Sequence, residues 1–116
     1  MTQTKELEID IVHHLDGCSI LHVYGDLNER TSPELRAAIR DLIARPAQER
    51  VIVDFEGTTH LSSSDVYGLV DPSTAPKNTG VRLIFSGLRG FPQHALALTR
   101  LDSLFEISDT VDQALP

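Results

Sequence analysis

Features that define several large protein classes are scarce or missing in this chain. Cys18 is the single cysteine, which excludes an internal disulfide and is typical of proteins in a reducing cytoplasm. No apolar run exceeds the four residues Ala95–Leu98, and the first residues lack the hydrophobic stretch of a secretory signal. The sequence therefore predicts a cytoplasmic protein without membrane insertion.

Basic residues are also few. Lys and Arg total 10 against 17 Asp and Glu, which gives a formal net charge of −7. A nucleic-acid binder needs a basic footprint, so no nucleic-acid partner is expected. The chain has 116 residues, of which 41% are hydrophobic, enough to bury one core without disulfides or metal. We therefore predict a single domain over residues 1–116.

Motifs for catalysis are missing as well. The sequence contains neither a Gly-rich loop followed by Lys-Ser or Lys-Thr nor a Gly-x-Ser-x-Gly turn. His13 and His14 are neighbours on a predicted strand, so their side chains point to opposite faces and cannot share one metal. His22 fits a core or a sheet edge better than a site, and Cys18 fits a small core residue better than a reactive thiolate. We expect no catalytic residues, no metal and no cofactor.

Hydrophobic periodicity predicts an α/β fold with a mixed sheet and packed helices, in the order β-β-α-β-α-β-α-β-α. Alternation over 7–15, Asp16-Gly17 and the strand formers of 18–24 predict an antiparallel hairpin. Further strands are expected at 51–55, 81–85 and 104–107, with loops over 25–30, 56–61 and 71–80.

The remaining segments carry sequence patterns that predict helices. Thr31 and Glu34 fit a capping box, Pro33 suits a first turn, and an apolar stripe follows, formed by Leu35, Ala38, Ile39, Leu42 and Ile43. This helix should end at Arg45-Pro46. Other helices are predicted from the serines at 62–64 to about Val70, over about 92–99, and after a cap at Asp109.

Ser62, Ser63, Ser64 and Asp65 follow a buried strand and loop at a predicted helix start. Serine caps helices well because its hydroxyl accepts from the free amides of the first turn. A phosphorylation switch is the functional alternative, since a phosphate adds about −1.5 to −2 charges and is favoured at a helix N-terminus. The two interpretations are compatible.

Four motifs in the expected order resemble the STAS domain family of anti-sigma factor antagonists and sulfate-transporter tails. Residues 25–36 (GDLNERTSPELR) are similar to the family's Gly-Glu-Leu-Asp-x-x-Thr-x-Pro-x-Leu-Arg, and residues 51–58 (VIVDFEGT) to its Val-Leu-Asp-Leu-Ser-x-Val strand and loop. Residues 62–69 (SSSDVYGL) stand where the family has Asp-Ser-Ser-Gly-Leu-Gly-x-Leu. Residues 101–107 (LDSLFEI) resemble the closing Leu-x-x-Leu-Phe-x-Ile/Val.

The resemblance implies partner switching. The unphosphorylated antagonist binds an anti-sigma factor that is also a serine kinase, phosphorylation breaks the complex, and a phosphatase resets it; ATP belongs to the kinase. By position, Ser63 is the phosphorylated serine and Ser64 its neighbour. The partner surface would combine residues 25–31 with 57–70, through Asp26, Asn28, Ser62, Ser63, Ser64 and Asp65.

The chain departs from the family pattern at the switch. Ser62 replaces the family's Asp, Asp65 replaces its Gly, and Asn28 stands where many antagonists carry an Asp used in kinase contact. Pro72 and Pro76 shorten the helix that normally forms part of the partner face. The alternative is a STAS subunit without switching, such as an accessory to a lipid transporter or a scaffold in a larger complex.

Overall fold

The computed structural model describes residues 6–14, 17–60, 69, 80–88 and 106–116. Five strands form one sheet in the order β1-β2-β3-β4-β5, with β1 antiparallel to β2 and the other neighbours parallel. The strands are β1 (Leu7–His14), β2 (Cys18–Asp26), β3 (Arg50–His60), β4 (Arg82–Ser86) and β5 (Glu106–Ser108), and the helices are α1 (Ser32–Ile43) and α2 (Val111–Ala114). The predicted mixed sheet and its N-terminal hairpin are confirmed. The helices predicted at 62–70 and 92–99, and the loop predicted at 71–80, lie outside the described residues except for Leu69 and Gly80.

Helix α1 covers one face of the sheet. The apolar stripe predicted for it is confirmed, because Leu35, Ile39, Leu42 and Ile43 are buried and Ala38 is partly buried against the same cluster. Leu69, from the connection between β3 and β4, is buried in this cluster too. The strands contribute Leu7, Leu21, Val23, Val51, Val53, Phe55, Leu83 and Phe85. Burial of this continuous apolar surface is the main favourable contribution to folding.

A smaller cluster on the opposite face lies under α2. Cys18, Ile20, Ile52 and Ile84 pack there against Ala114. Cys18 is a buried core residue, as predicted, and burial raises the pKa of its thiol. Within the described residues, α2 therefore covers the half of this face nearest the start of β3.

Two of the three predicted helix caps are wrong in detail, and the third, at the serines of 62–64, lies outside the described residues. The Thr31 side chain makes no capping bond to α1. Its Oγ1 instead accepts from the Asn28 amide at 2.8 Å and donates to the Asp26 carbonyl at 2.9 Å, which fixes the preceding loop. At α2 the cap is Thr110 rather than Asp109, because Thr110 Oγ1 accepts from the Gln113 amide at 3.2 Å. Residue type alone could not identify which neighbouring polar side chain has the required backbone geometry.

Strand β3 is longer than the sequence predicts, because residues 56–60 continue the strand instead of forming a loop. His22 pairs with Asp54 but Tyr24 pairs with Gly57, so β3 gains an extra residue and bulges between these pairs. A second shift follows between the partners of Gly25 and Asp26. Bulges interrupt the alternation on which strand prediction depends, and they redirect side chains near sheet ends.

Two glycines allow a matched test of the β1–β2 contact. A Cβ at Gly25, where φ is 104°, would overlap the Glu6 carbonyl oxygen, whereas Gly80, where φ is 77°, has no atom within 4 Å of that position. We expect Gly80→Ala to lower the free energy of unfolding by about 1–2 kcal/mol through backbone strain alone. Gly25→Ala should cost about 1–3 kcal/mol more because of the overlap. Urea denaturation measures both, and equal losses would contradict this account of Gly25.

Candidate functional site

The carboxyl ends of four parallel strands meet at one edge of the sheet, here called the carboxyl edge. Strand β2 ends there at Asp26, β3 at His60, β4 at Ser86 and β5 at Ser108. Loops that leave this edge are close together although they are far apart in sequence, which is why α/β sheets commonly bind ligands there. The structure describes in full the loop from Leu27 to Thr31 after β2 and the short connection of residues 109–110 after β5, and the first of these carries predicted site residues.

Asn28 organises this loop. Its Oδ1 accepts from the Arg30 amide at 2.8 Å and from the Thr31 amide at 3.1 Å. Its own carbonyl accepts from the hydroxyl of Ser32 at 2.7 Å. A side chain that accepts from amides two and three residues ahead closes an Asx turn, so Asn28 holds the loop in one conformation.

Glu6, the residue before β1, is bound to this loop through Arg30 and Asn28. Arg30 donates to both carboxylate oxygens of Glu6, from Nη2 at 2.6 Å and from Nε at 3.2 Å, and Asn28 Nδ2 donates at 3.4 Å. These hydrogen bonds, with that of Arg30 foremost, lower the pKa of Glu6 below its ordinary value. A guanidinium that binds both oxygens of a carboxylate fixes the relative orientation of the two groups, although solvent weakens the attraction between their charges.

Asp26 lies beside the end of β3. It pairs in register with His60, and its Oδ1 accepts a hydrogen bond from the Thr59 hydroxyl. Two predicted partner residues thus lie together at the carboxyl edge, Asp26 at the end of β2 and Asn28 in the loop that follows. The other predicted site residues, Ser62, Ser63, Ser64 and Asp65, lie outside the described residues; in sequence they follow His60 almost directly.

A polar row crosses the sheet just inside the carboxyl edge, formed by His22 of β2, Asp54 of β3 and Ser86 of β4. The sequence did not predict it. His22 Nδ1 lies 2.8 Å from Asp54 Oδ2, and Asp54 Oδ1 accepts from the Glu56 amide at 3.0 Å. Asp54 also pairs in register with Ser86, whose buried hydroxyl has no hydrogen-bond partner among the described residues. His22 is predicted in a core or at a sheet edge, and the structure shows it partly buried. Only strand register could have revealed its partner.

Asp54 supports the bulge of β3. Its bond to the Glu56 amide satisfies a backbone donor where the bulge interrupts the pairing with β2. Its bond to His22 joins β2 and β3 at the last pair before the bulge. The end of β3 that leads to the serine segment is therefore held by side chains as well as by the sheet.

Within residues 6–14, 17–60, 69, 80–88 and 106–116, no group of three or more His, Cys, Asp or Glu side chains is arranged to hold a metal ion. None of the helices described is long and apolar enough to cross a membrane.

Comparison with known proteins decides the family. The family model of the STAS domain matches residues 11–114, nearly the whole chain. The chain belongs to the STAS domain family. This match confirms the resemblance that the four sequence motifs suggested.

Solved structures of STAS proteins share the fold. An anti-sigma factor antagonist from Mycobacterium paratuberculosis is 26% identical, with a TM-score of 0.66 over 93% of this chain and 90% of that one. The Bacillus cell fate determinant SpoIIAA in its phosphorylated form is 19% identical, with a TM-score of 0.65 over 92% and 96%. An anti-sigma-factor antagonist domain protein from Planctomyces limnophilus is 17% identical, with a TM-score of 0.65 over 91% and 92%. This STAS domain therefore resembles anti-sigma factor antagonists in structure.

Asn28 provides a test of the loop at the carboxyl edge. Asn28→Ala removes the acceptor for two backbone amides and should lower the free energy of unfolding by about 1 kcal/mol. Asn28→Asp keeps the acceptor but places a carboxylate beside Glu6, so it should cost less in the Glu6→Gln background than alone. Chemical denaturation of the four variants gives the comparison. An Asn28→Asp penalty unaffected by Glu6→Gln would contradict the contact.

The Glu6–Arg30 pair predicts a pH effect. Because the pKa of Glu6 is lowered in the folded chain, its contribution to stability is present above the ordinary Glu pKa and is lost as pH falls through the lowered pKa. Arg30→Gln should raise the pKa of Glu6 in an NMR titration, since the substitution removes the hydrogen bond that lowers this pKa most. Arg82→Gln is the control: it should raise the pKa of Glu106, its own partner, and leave that of Glu6 unchanged. An unchanged Glu6 pKa in Arg30→Gln would contradict the assigned ion pair.

Proposed function

We propose that this STAS domain is a cytoplasmic anti-sigma factor antagonist that acts by binding a cognate anti-sigma factor at the carboxyl edge. The observation that carries the proposal is the fixed loop around Asn28, which follows Asp26 and lies beside the end of β3, the strand that leads into Ser62–Asp65. A loop ordered before binding loses less conformational entropy when a partner docks. The structural relatives named as anti-sigma factor antagonists support the same partner class.

Charge favours a basic contact face on the partner. The chain carries a net charge of −7, and Asp26 and Asp65 lie within the proposed contact segments. Electrostatic complementarity of this kind accelerates association and excludes unsuitable partners. The partner is a protein, and no nucleic acid is part of the proposal.

Ser63 is the proposed control point. Phosphorylation there would add about −1.5 to −2 charges and replace a small hydroxyl with a bulky group in the contact segment. A kinase activity of the anti-sigma factor would supply the phosphate from ATP, and a phosphatase would remove it. In this scheme the STAS domain is a substrate and a ligand, without enzymatic activity of its own. A relative with the same fold, the Bacillus protein SpoIIAA, exists in a phosphorylated form.

A second function is favoured by the altered switch segment. Ser62 and Asp65 replace the Asp and Gly that flank the serines in the family motif. A chain that has lost those residues could keep its docking edge and serve as a non-switching subunit of a larger complex, such as a lipid transporter. The two functions differ in whether Ser63 ever receives a phosphate.

Affinity capture from cells of the source organism tests the proposal. Wild type and Ser63→Ala should retain an anti-sigma factor, whereas Ser63→Asp should weaken its binding about tenfold or more. Gln113→Glu is the matched control, because it adds one negative charge at an exposed position of α2 and should leave binding unchanged. Equal affinities of Ser63→Ala and Ser63→Asp would reject switching at Ser63.

Intact mass separates the two functions. Incubation of the wild type with ATP and the captured partner should add one phosphate, and Ser63→Ala should prevent the addition. Capture of transporter subunits, with no mass gain, would support the non-switching function instead.

A further inference from the structure

Strand β1 leaves one edge of the described sheet open. The Asp26 amide donates to the Glu6 carbonyl at 2.8 Å, in the same register that pairs β1 with β2. Hydrogen-bonded pairs alternate along antiparallel strands, so the even-numbered residues of β1 bond to β2. The backbone groups of Leu7, Ile9, Ile11 and His13 therefore point away from the sheet. Such a row is a template for another strand.

The side chains at the centre of this edge are apolar on both faces. Ile11, on the face of α1, is 42% exposed, and Val12, on the opposite face, is 41% exposed. Within the described residues they are two of the three large hydrophobic side chains that are exposed. A strand added to this edge would cover both at once.

We propose that β1 pairs with β1 of a second copy of this chain, antiparallel, about a two-fold axis at Ile11. A two-fold axis normal to the sheet keeps each side chain on its own face. Because directly opposed residues of antiparallel strands share a face, the axis must then pass through a residue position and not between two residues. Near the middle of β1 these positions are Asp10 and Ile11. With the axis at Asp10, the two Asp10 carboxylates would face each other. With the axis at Ile11, Glu8 of one copy faces His14 of the other, and the two Ile11 side chains meet.

The register at Ile11 also uses more of β1 than the next one along the strand. It pairs residues 8–14 of both copies, whereas an axis at Val12 would use only residues 10–14 of β1. Its hydrogen-bonded pairs, Ile11 with Ile11 and Ile9 with His13, supply about six backbone bonds, against about four with the axis at Val12. The facing Asp10 carboxylates are what disfavour the axis at Asp10. The charges and the register of β1 thus suit a second copy of this chain as the strand that pairs with this edge.

The dimer leaves the proposed function intact. The two-fold axis joins the two sheets through β1 and directs the carboxyl edges of the copies in opposite directions. One dimer would present two separate partner sites. This inference does not depend on the identity of that partner.

Proline substitution tests the pairing. Ile11→Pro removes an outward N–H and no bond to β2, so the variant should fold but remain monomeric. Val12→Pro is the matched control, because it removes an N–H bonded to β2 and should destabilise the monomer itself. Ile11→Lys, which retains the N–H but places two like charges at the axis, is the second variant in case the proline perturbs the strand.

Sedimentation of the full chain over micromolar to near-millimolar concentrations is the measurement. Wild type should form a dimer, and the dissociation constant should rise about tenfold or more in Ile11→Pro and Ile11→Lys. A wild type that stays monomeric throughout, or a dimer unaffected by both variants, would overturn the proposal.

Cysteine cross-linking tests the register. In the hydrogen-bonded pair at the axis, the two Ile11 Cα atoms would be about 5.5 Å apart, within disulfide range, whereas the two Val12 Cα atoms would be diagonal at about 7–8 Å. Ile11→Cys should therefore form a disulfide-linked dimer under mild oxidation far faster than Val12→Cys, although the two positions are equally exposed. Native Cys18 is buried and does not compete. Equal or faster linking of Val12→Cys would overturn the register.

Discussion

Parallel pairing of β2 with β3, of β3 with β4 and of β4 with β5 is the constraint on which the rest of the structure depends. It places the ends of these strands, and the loops that follow, at one edge of the sheet. The core under α1 fixes the strands relative to one another, because buried residues of all of the first four strands meet there. A surface made of segments distant in sequence can therefore be as rigid as a single element.

The strand that leads to the serine segment is reinforced by polar contacts. Asp54 binds both His22 and the Glu56 amide, at the point where β3 bulges away from regular pairing. Thr59 then bonds to Asp26, so the end of β3 and the loop after β2 are joined beyond the bulge. A partner that contacts both segments would meet a preorganised surface and would pay little entropy to order it.

Much of the fold followed from local sequence signals. The hairpin was predictable because Asp16-Gly17 separates two alternating segments, and α1 because its apolar stripe has helical spacing. The length of β3 and the His22–Asp54 contact were not, since both depend on the register between strands distant in sequence. Thr31 bonds within its own loop instead of capping α1, and Thr110 caps α2 in place of Asp109; both outcomes depend on backbone angles that residue type does not reveal. Asp26 and Asn28 were found only through the motif of 25–36, which shows that family resemblance located what periodicity could not.

The most direct test of the carboxyl edge as a docking surface is amide hydrogen exchange of the wild-type chain, free and bound to its captured partner. Bound protein should exchange more slowly over residues 26–31 and 58–60, while α2 and the first residues of β3 keep their free rates. Protection confined to α2 and the start of β3, with the carboxyl edge unchanged, would contradict the account.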